Sequence, residues 1–278
     1  MQEHSTTVDG APVRWLEQGT GLPVVLVHGI PTSPTLWRHV VPRLTDMRVL
    51  AFEMTGYGQS IPAGERCDIS VGAQAERLLG WLDELGLERA VLVGHDLGGG
   101  VVHIAAVRKP SACAGLLITN GIGYDSWPIP SVKAMRMAAP LLARMPAALL
   151  KPSLAMLIAR GHDDRSVARE SLDLHFRPYA EHGGGAAMAR QVSSLHVQDT
   201  VAVADRLSSL AVPARVVWGE DDQFQKVAFG ERFARDLRTP LRRIRGGKHF
   251  TPEDHPDVLA AEITSLTREA EQLAGRGP

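Results

Sequence analysis

The stretch VGHDLGGG occupies residues 93–100. The run before it, RAVLVG (89–94), is short, apolar and β-branched, and the segment after it, GGGVVHIAAVRKP, has helix length. A strand ending at Val93, a tight turn and a helix starting near Leu97 set the Asp96 side chain at the end of a strand and above a helix N-terminus. Gly94, Gly98, Gly99 and Gly100 permit the sharp turn and close packing. Free N–H groups and the helix dipole favour an anion there. An aspartate is also a good N-cap, so the motif acquires meaning from the rest of the chain.

The same alternation recurs outward from this point. PVVLVH (23–28) leads into SPTLWRHVVPRL, MRVLAFE (47–53) leads to a helical stretch over about 70–86, and GLLIT (115–119) follows the first motif. Continuous apolar strands alternating with helices predict an α/β fold, a mostly parallel sheet covered on both faces. STTVDG and PVRWLEQG predict an antiparallel hairpin at its edge. From 124 to 205 the strands stop and a Met-, Ala- and Leu-rich helical block intervenes. ARVVWG (214–219) resumes the pattern, followed by a helix near 227–237, a weak strand LRRIRGG and a final helix over about 254–273. The expected organisation is a core in two parts, 1–123 and 206–278, with a helical cap at 124–205. Five of the eight methionines lie between Met135 and Met188, and they read as packing between cap helices or as an apolar pocket lining. The C-terminal AGRGP is expected to fray.

Composition narrows the class. The 278 residues are 44% apolar and 22% charged with a net charge of −1, and no basic block is present, which disfavours a nucleic-acid partner. No apolar run approaches the ~20 residues of a membrane span, and MQEHSTTVDG has no signal-peptide core, so no membrane partner and a cytoplasmic location are expected. Cys67 and Cys113 have no metal spacing and read as two buried or half-buried thiols. Neither a metal nor a cofactor is expected, and the oligomeric state stays open.

Two distant segments join Asp96. VVWGEDDQF places Asp222, with Asp221 as its adjacent rival, just beyond a strand, and RGGKHF places His249 in a loop near the end. Asp96, Asp222, His249 is the chain order nucleophile, acid, base. In VHGIP the Ile30 N–H, with that of Leu97, can form an oxyanion hole, while His28 and Pro31 shape the turn. A carboxylate with pKa ~4 is ionised at neutral pH without help from a base. Its attack on a carbonyl would give an anhydride, so a saturated carbon is the more sensible target.

These segments, with TGYGQS, resemble the α/β-hydrolase superfamily. HGxP, GxGxS and GHDxGG resemble its branch of epoxide hydrolases and haloalkane dehalogenases, and HGIPTSPTLWR resembles the dehalogenase side. The resemblance implies that Asp96 forms an alkyl ester on carbon and that His249, oriented by Asp222, activates the water that cleaves it. Where dehalogenases carry tryptophan and asparagine halide donors, this chain has Leu97 and Ile30, and the arginines of fluoroacetate dehalogenases are replaced by Leu97 and Gly100. The leading expectation is therefore an epoxide hydrolase-like enzyme using water on a small, apolar, neutral organic substrate. Its candidate lid acids or pocket residues are Tyr124, Tyr179, His175 and Trp127, although Ala189 stands where the family's second lid tyrosine is followed by arginine. A dehalogenase with donors such as Trp127 or Asn120 is the alternative. A ligand-binding member of the fold, or one using Asp96 as a proton acceptor without hydrolysis, completes the set.

Overall fold

The β-branched runs assemble into one eight-stranded sheet in a computed structural model that describes residues 1–275. Its strands are β1 (Gln2–Val8), β2 (Ala11–Gln18), β3 (Pro23–Val27), β4 (Arg48–Glu53), β5 (Ala90–His95), β6 (Cys113–Thr119), β7 (Ala214–Gly219) and β8 (Leu241–Ile244). They lie in the order β1-β2-β4-β3-β5-β6-β7-β8, with β2 antiparallel to both neighbours and every pair from β4 onward parallel. The strand before Asp96 is thus interior, Val93 pairing with Leu26 on one side and Leu117 on the other. The loops at the carboxyl ends of β3, β5, β6 and β7 share one end of the sheet, the usual position for a site in such a sheet.

Helices α1 (Val71–Glu84) and α2 (Leu97–Arg108) precede a helical insertion between β6 and β7. The insertion contains α3 (Pro130–Met137), α4 (Ala139–Leu142), α5 (Ala147–Gly161), α6 (Arg165–Glu181), α7 (Gly184–Ser193) and α8 (Gln198–Val201). After β7 come α9 (Val227–Asp236), α10 (Thr251–Asp254) and α11 (Pro256–Ala274). Alternation along the strands divides the core in two. Val25, Leu50, Leu92 and Val216 pack with α1, α2 and α9, while Val24, Val49, Val91 and Val217 pack with Leu36, Trp37 and α11. A third cluster, including Leu150, Leu154, Tyr179 and Met188, lies within the insertion.

Several expectations need adjustment. SPTLWRHVVPRL forms two short 3-10 turns, Pro34–Trp37 and Val41–Arg43, rather than a helix. Pro42 has no N–H to donate and disfavours helical geometry at Val41. The final helix is broken into α10 and α11 at His255, which immediately precedes Pro256. Met188 is buried and Met135 and Met145 pack against the insertion's core, but Met137 and Met156 point outward. Cys113 is buried, which pushes its thiol up to about 12, and Cys67 is half-buried. Of the AGRGP tail, residues 276–278 lie outside the described residues. Among the described residues no helix is long and apolar enough to cross a membrane.

Candidate active site

Between β5 and α2 the chain turns at Asp96 with φ 51° and ψ −120°, a conformation rarely adopted by a residue with a side chain. Glycine neighbours make the turn possible. A Cβ at Gly94 would overlap the Gly98 backbone, and one at Gly98 would overlap the carbonyls of Val27 and His28. The Asp96 carbonyl accepts from Gly99 N–H (3.0 Å) and Ile122 N–H (3.0 Å), locking the corner to the loop after β6.

The strained turn delivers the Asp96 carboxylate to the Ile30 N–H, which donates to Oδ1 at 2.9 Å, and the neighbouring Leu97 N–H also favours the anion. His28 supports the turn that carries Ile30: its Nδ1–H donates to the Gly29 carbonyl (2.9 Å), and Nε2 accepts from Met54 N–H (3.2 Å). Burial lowers the His28 ring to about 3, which keeps it neutral in this role.

The second oxygen of Asp96, Oδ2, lies 3.6 Å from His249 Nε2. On the far side of that ring, Nδ1–H donates to Asp222 Oδ2 at 2.8 Å. Asp222 Oδ1 accepts from Phe224 N–H (2.7 Å) and Gln225 N–H (3.0 Å). Asp221 is exposed and its N–H donates to the Gly247 carbonyl, so Asp222 alone of the pair meets the imidazole.

Burial raises the Asp96 carboxyl above its ordinary value, partly offset by the His249 charge and the two N–H donors. Asp222 is lowered despite burial, because His249 and Asn120 stabilise its anion. Burial alone would depress His249, but the charge and hydrogen bond of Asp222, with Asp96 behind them, raise it. The three groups therefore form a buried carboxylate–imidazole–carboxylate row.

Its surroundings hold the row from both sides. His95 Nε2–H donates to the His249 carbonyl (2.9 Å), and burial lowers His95 to about 3. The His249 and Phe250 N–H groups both donate to Gly161 O, at 2.9 and 3.1 Å, at the end of α5. Lys248 reaches the same corner, Nζ donating to His162 O (2.7 Å) and N–H to Asp163 Oδ1 (2.8 Å). The loop bearing His249 is therefore tied to the inserted helices.

Asp96 and His249 open onto a cavity of about 50 Å³, enough for only a few waters. Its walls include Ile30, Leu97, Ile122, Phe224 and Phe250 from the core and Trp127, Val132, Leu157 and Leu195 from the insertion. The cavity itself has room for only a few heavy atoms.

The candidate acids occupy other stations. Tyr124 OH donates to Asp236 (2.8 Å) beneath the Arg232 guanidinium, and Tyr179 OH donates to Gln191 (2.6 Å). His175 sits in a separate buried cluster, Nε2 3.2 Å from Glu253, which also pairs with Arg38 and with His162 (2.7 Å). Trp127 does line the cavity, but its Nε1–H donates to Thr200 (2.7 Å). Asn120 lies behind the row, donating to Asp222 Oδ2 at 2.7 Å.

Sequence reasoning missed Gln225. Its side chain borders the cavity, is 3% exposed, and leaves Oε1 buried with no hydrogen-bond partner. Such an orphan is costly unless something binds it. Its only sequence signal is its position three residues after Asp222.

With the fold and site in place, comparison with known proteins identifies the class. The chain matches the family described as alpha/beta hydrolase fold over residues 23–256, and it belongs to that family. It is similar to haloalkane dehalogenase 2 of Mycobacterium tuberculosis, 28% identical over 265 residues, covering 90% of each chain. A shorter match to bifunctional epoxide hydrolase 2 of Sus scrofa is 38% identical over 103 residues, 36% of this chain and 19% of that one. Among solved structures, an alpha/beta hydrolase fold protein from Burkholderia ambifaria aligns with TM-score 0.85 and 26% identity, covering 94% and 97% of the two chains. The protein is thus a hydrolase of the α/β fold with epoxide hydrolase and haloalkane dehalogenase relatives.

Proposed function

We propose that the protein hydrolyses a bond at a saturated carbon through an alkyl ester of Asp96. The observation that carries this reading is the division of labour between the two Asp96 oxygens. Oδ1 accepts from the Ile30 N–H at 2.9 Å, while Oδ2 lies 3.6 Å from His249 Nε2, and both residues line the cavity. In the first step an Oδ2 lone pair forms the C–O bond and the leaving group takes the electron pair of the bond that breaks. In the second, His249 Nε2 removes a proton from water, whose oxygen attacks the ester carbon. The charge that develops on Oδ1 falls on the Ile30 and Leu97 N–H groups. Collapse releases the alcohol, which takes the proton held by His249, and the new carboxyl gives up its remaining water proton to solvent to restore the carboxylate.

The apolar cavity walls favour a neutral, apolar substrate, and an epoxide is the first reading. Its opening oxygen stays attached and needs a donor, a role open to the Nε2–H group of Gln225 at the cavity border but not to its unpartnered Oε1, which only accepts. Here the inserted helices act as a cap whose wall yields to admit the substrate. Similarity to a haloalkane dehalogenase over 90% of both chains favours a second reading, in which the same amide receives a departing halide.

Single-turnover hydrolysis in ¹⁸O-labelled water, followed by peptide mass analysis, tests the shared step. Label in the Asp96 carboxylate is expected, and turnover without label sinks the proposal. Diol formation against halide release from matched epoxide and haloalkane panels then separates the two readings.

A further inference from the structure

The inserted helices have an outer face that the reaction does not use. Between Asp125 and Asp163 lie 37 residues with no acid and five cations, Lys133, Arg136, Arg144, Lys151 and Arg160, in a chain whose net charge is −1. The same segment holds the four most exposed large apolar side chains among the described residues: Met137 (86%), Leu141 (71%), Met156 (71%) and Leu149 (64%). In α5, Leu149 and Met156 are two turns apart on the face opposite buried Leu150, Leu154 and Ile158. Lys151 reaches Asp173 (3.2 Å), but the other four cations have no carboxylate partner among the described residues. Arg136 and Arg144 donate to backbone carbonyls and Arg160 to Gln223.

We propose that this face docks on the surface of an anionic lipid bilayer. Protruding methionine and leucine side chains flanked by unopposed cations are the chemistry of a helix lying in the interfacial plane. Charge argues against a second copy of the chain, because a two-fold contact would press together two faces that each carry four cations with no carboxylate partner among the described residues. An acidic protein partner fits less well, since the only aromatic residue of the segment, Trp127, is buried and provides no anchor. The absence of a membrane-crossing segment, which motivated the expectation of no membrane partner, does not bear on a surface that lies flat.

Docking would also place the site's entrance at the lipid. The helices that carry the exposed residues line the catalytic cavity with their inner sides, Val132 on α3 and Leu157 on α5. An outer groove of about 500 Å³ shares Pro128, Ile129 and Phe224 with that cavity and includes Lys133 and Arg160. An apolar molecule dissolved in the bilayer would thus meet the groove without crossing bulk water.

The proposal does not depend on the reaction at Asp96 and is read without turnover. The intact protein is sedimented with vesicles of phosphatidylcholine alone or with added phosphatidylglycerol. Binding should require phosphatidylglycerol and weaken with salt. Combining Lys133→Glu with Arg144→Glu should reduce partitioning by about tenfold or more. Combining Met137→Ser, Leu141→Ser and Met156→Ser should reduce it too, with an unchanged circular dichroism spectrum and melting temperature. Binding to neither vesicle, equal binding to both, or equal binding by all variants overturns the proposal. So does a dimer in light scattering that the serine variant dissociates, or binding to polyglutamate without binding to vesicles.

Discussion

Asn120 and His249 share one oxygen: Asn120 Nδ2–H and His249 Nδ1–H both donate to Asp222 Oδ2, at 2.7 and 2.8 Å. The amide is itself oriented, because its Oδ1 accepts from Gly219 N–H (3.2 Å) and Thr251 Oγ1–H (3.2 Å). Asn120→Ala frees Asp222 to rotate away from the imidazole. We expect kcat to fall about 10- to 100-fold, the worth of a hydrogen bond to a charged group. Steady-state hydrolysis with matched thermal melts measures this, and an unchanged kcat would refute the positioning role.

Gly29 faces Asp96 so closely that a Cβ there would overlap Oδ1. Gly29→Ala should push the carboxylate off the Ile30 N–H and cut turnover by at least about 100-fold, the scale of a lost oxyanion-hole donor. The overlap reaches Asp96 Cβ and Cγ as well, so the corner at Asp96 must shift and the melting temperature should fall along with turnover. Crystallography of the variant and its thermal melt check both halves of this expectation.

Gln225→Leu tests the orphaned amide. If it serves the leaving group, the first chemical step slows. Removing an unsatisfied buried polar group should leave the melting temperature unchanged or slightly raised. Pre-steady-state kinetics separates this from a change in ester cleavage, which should be unaffected.

Ester cleavage should follow the protonation of His249. Its value is raised above that of an ordinary imidazole, and only the neutral ring accepts a proton from water. The cleavage rate should therefore rise with pH through that raised value and level off above it. His249→Gln should abolish the second step and trap the alkyl-enzyme, visible as an added mass on the peptide containing Asp96. No mass gain with an active substrate would count against the covalent route.

Glu253 should matter for stability. Burial alone would raise its carboxyl, but hydrogen bonds from His162 and His175 and the charge of Arg38 hold it well below the ordinary 4.5. A carboxyl lowered in the folded state stabilises the protein above its unfolded pKa and loses that contribution as pH falls through the folded value. Glu253→Gln should cost about 3–5 kcal/mol at neutral pH, and the gap to the native protein should narrow in acid. Urea unfolding at two pH values measures it.

Much of this architecture was legible because its causes are local. The glycines around Asp96 announce a sharp turn, and the apolar runs before Ile30, Asp96 and Asp222 announce the strands that carry them. At 34–43 the prolines override a helix-length pattern, and Pro42 reduces it to 3-10 turns. The polar partners were illegible for a different reason. Whether Tyr124 faces a substrate depends on Asp236, more than 100 residues later, and Asn120 gains its function only when β6 lies beside β7. Helical periodicity told which residues of α5 share a face, but not that Leu149 and Met156 would lie on the uncovered one.

The two hydrogen bonds from His249 and Phe250 to Gly161 limit how such enzymes can be recombined. A chimera that exchanges the inserted helices for a relative's would also exchange the bracket from which the histidine hangs. Substrate range and proton transfer are thereby inherited together, so a graft must either retain the corner at 161–163 or re-evolve the loop at 248–255 to meet a new one.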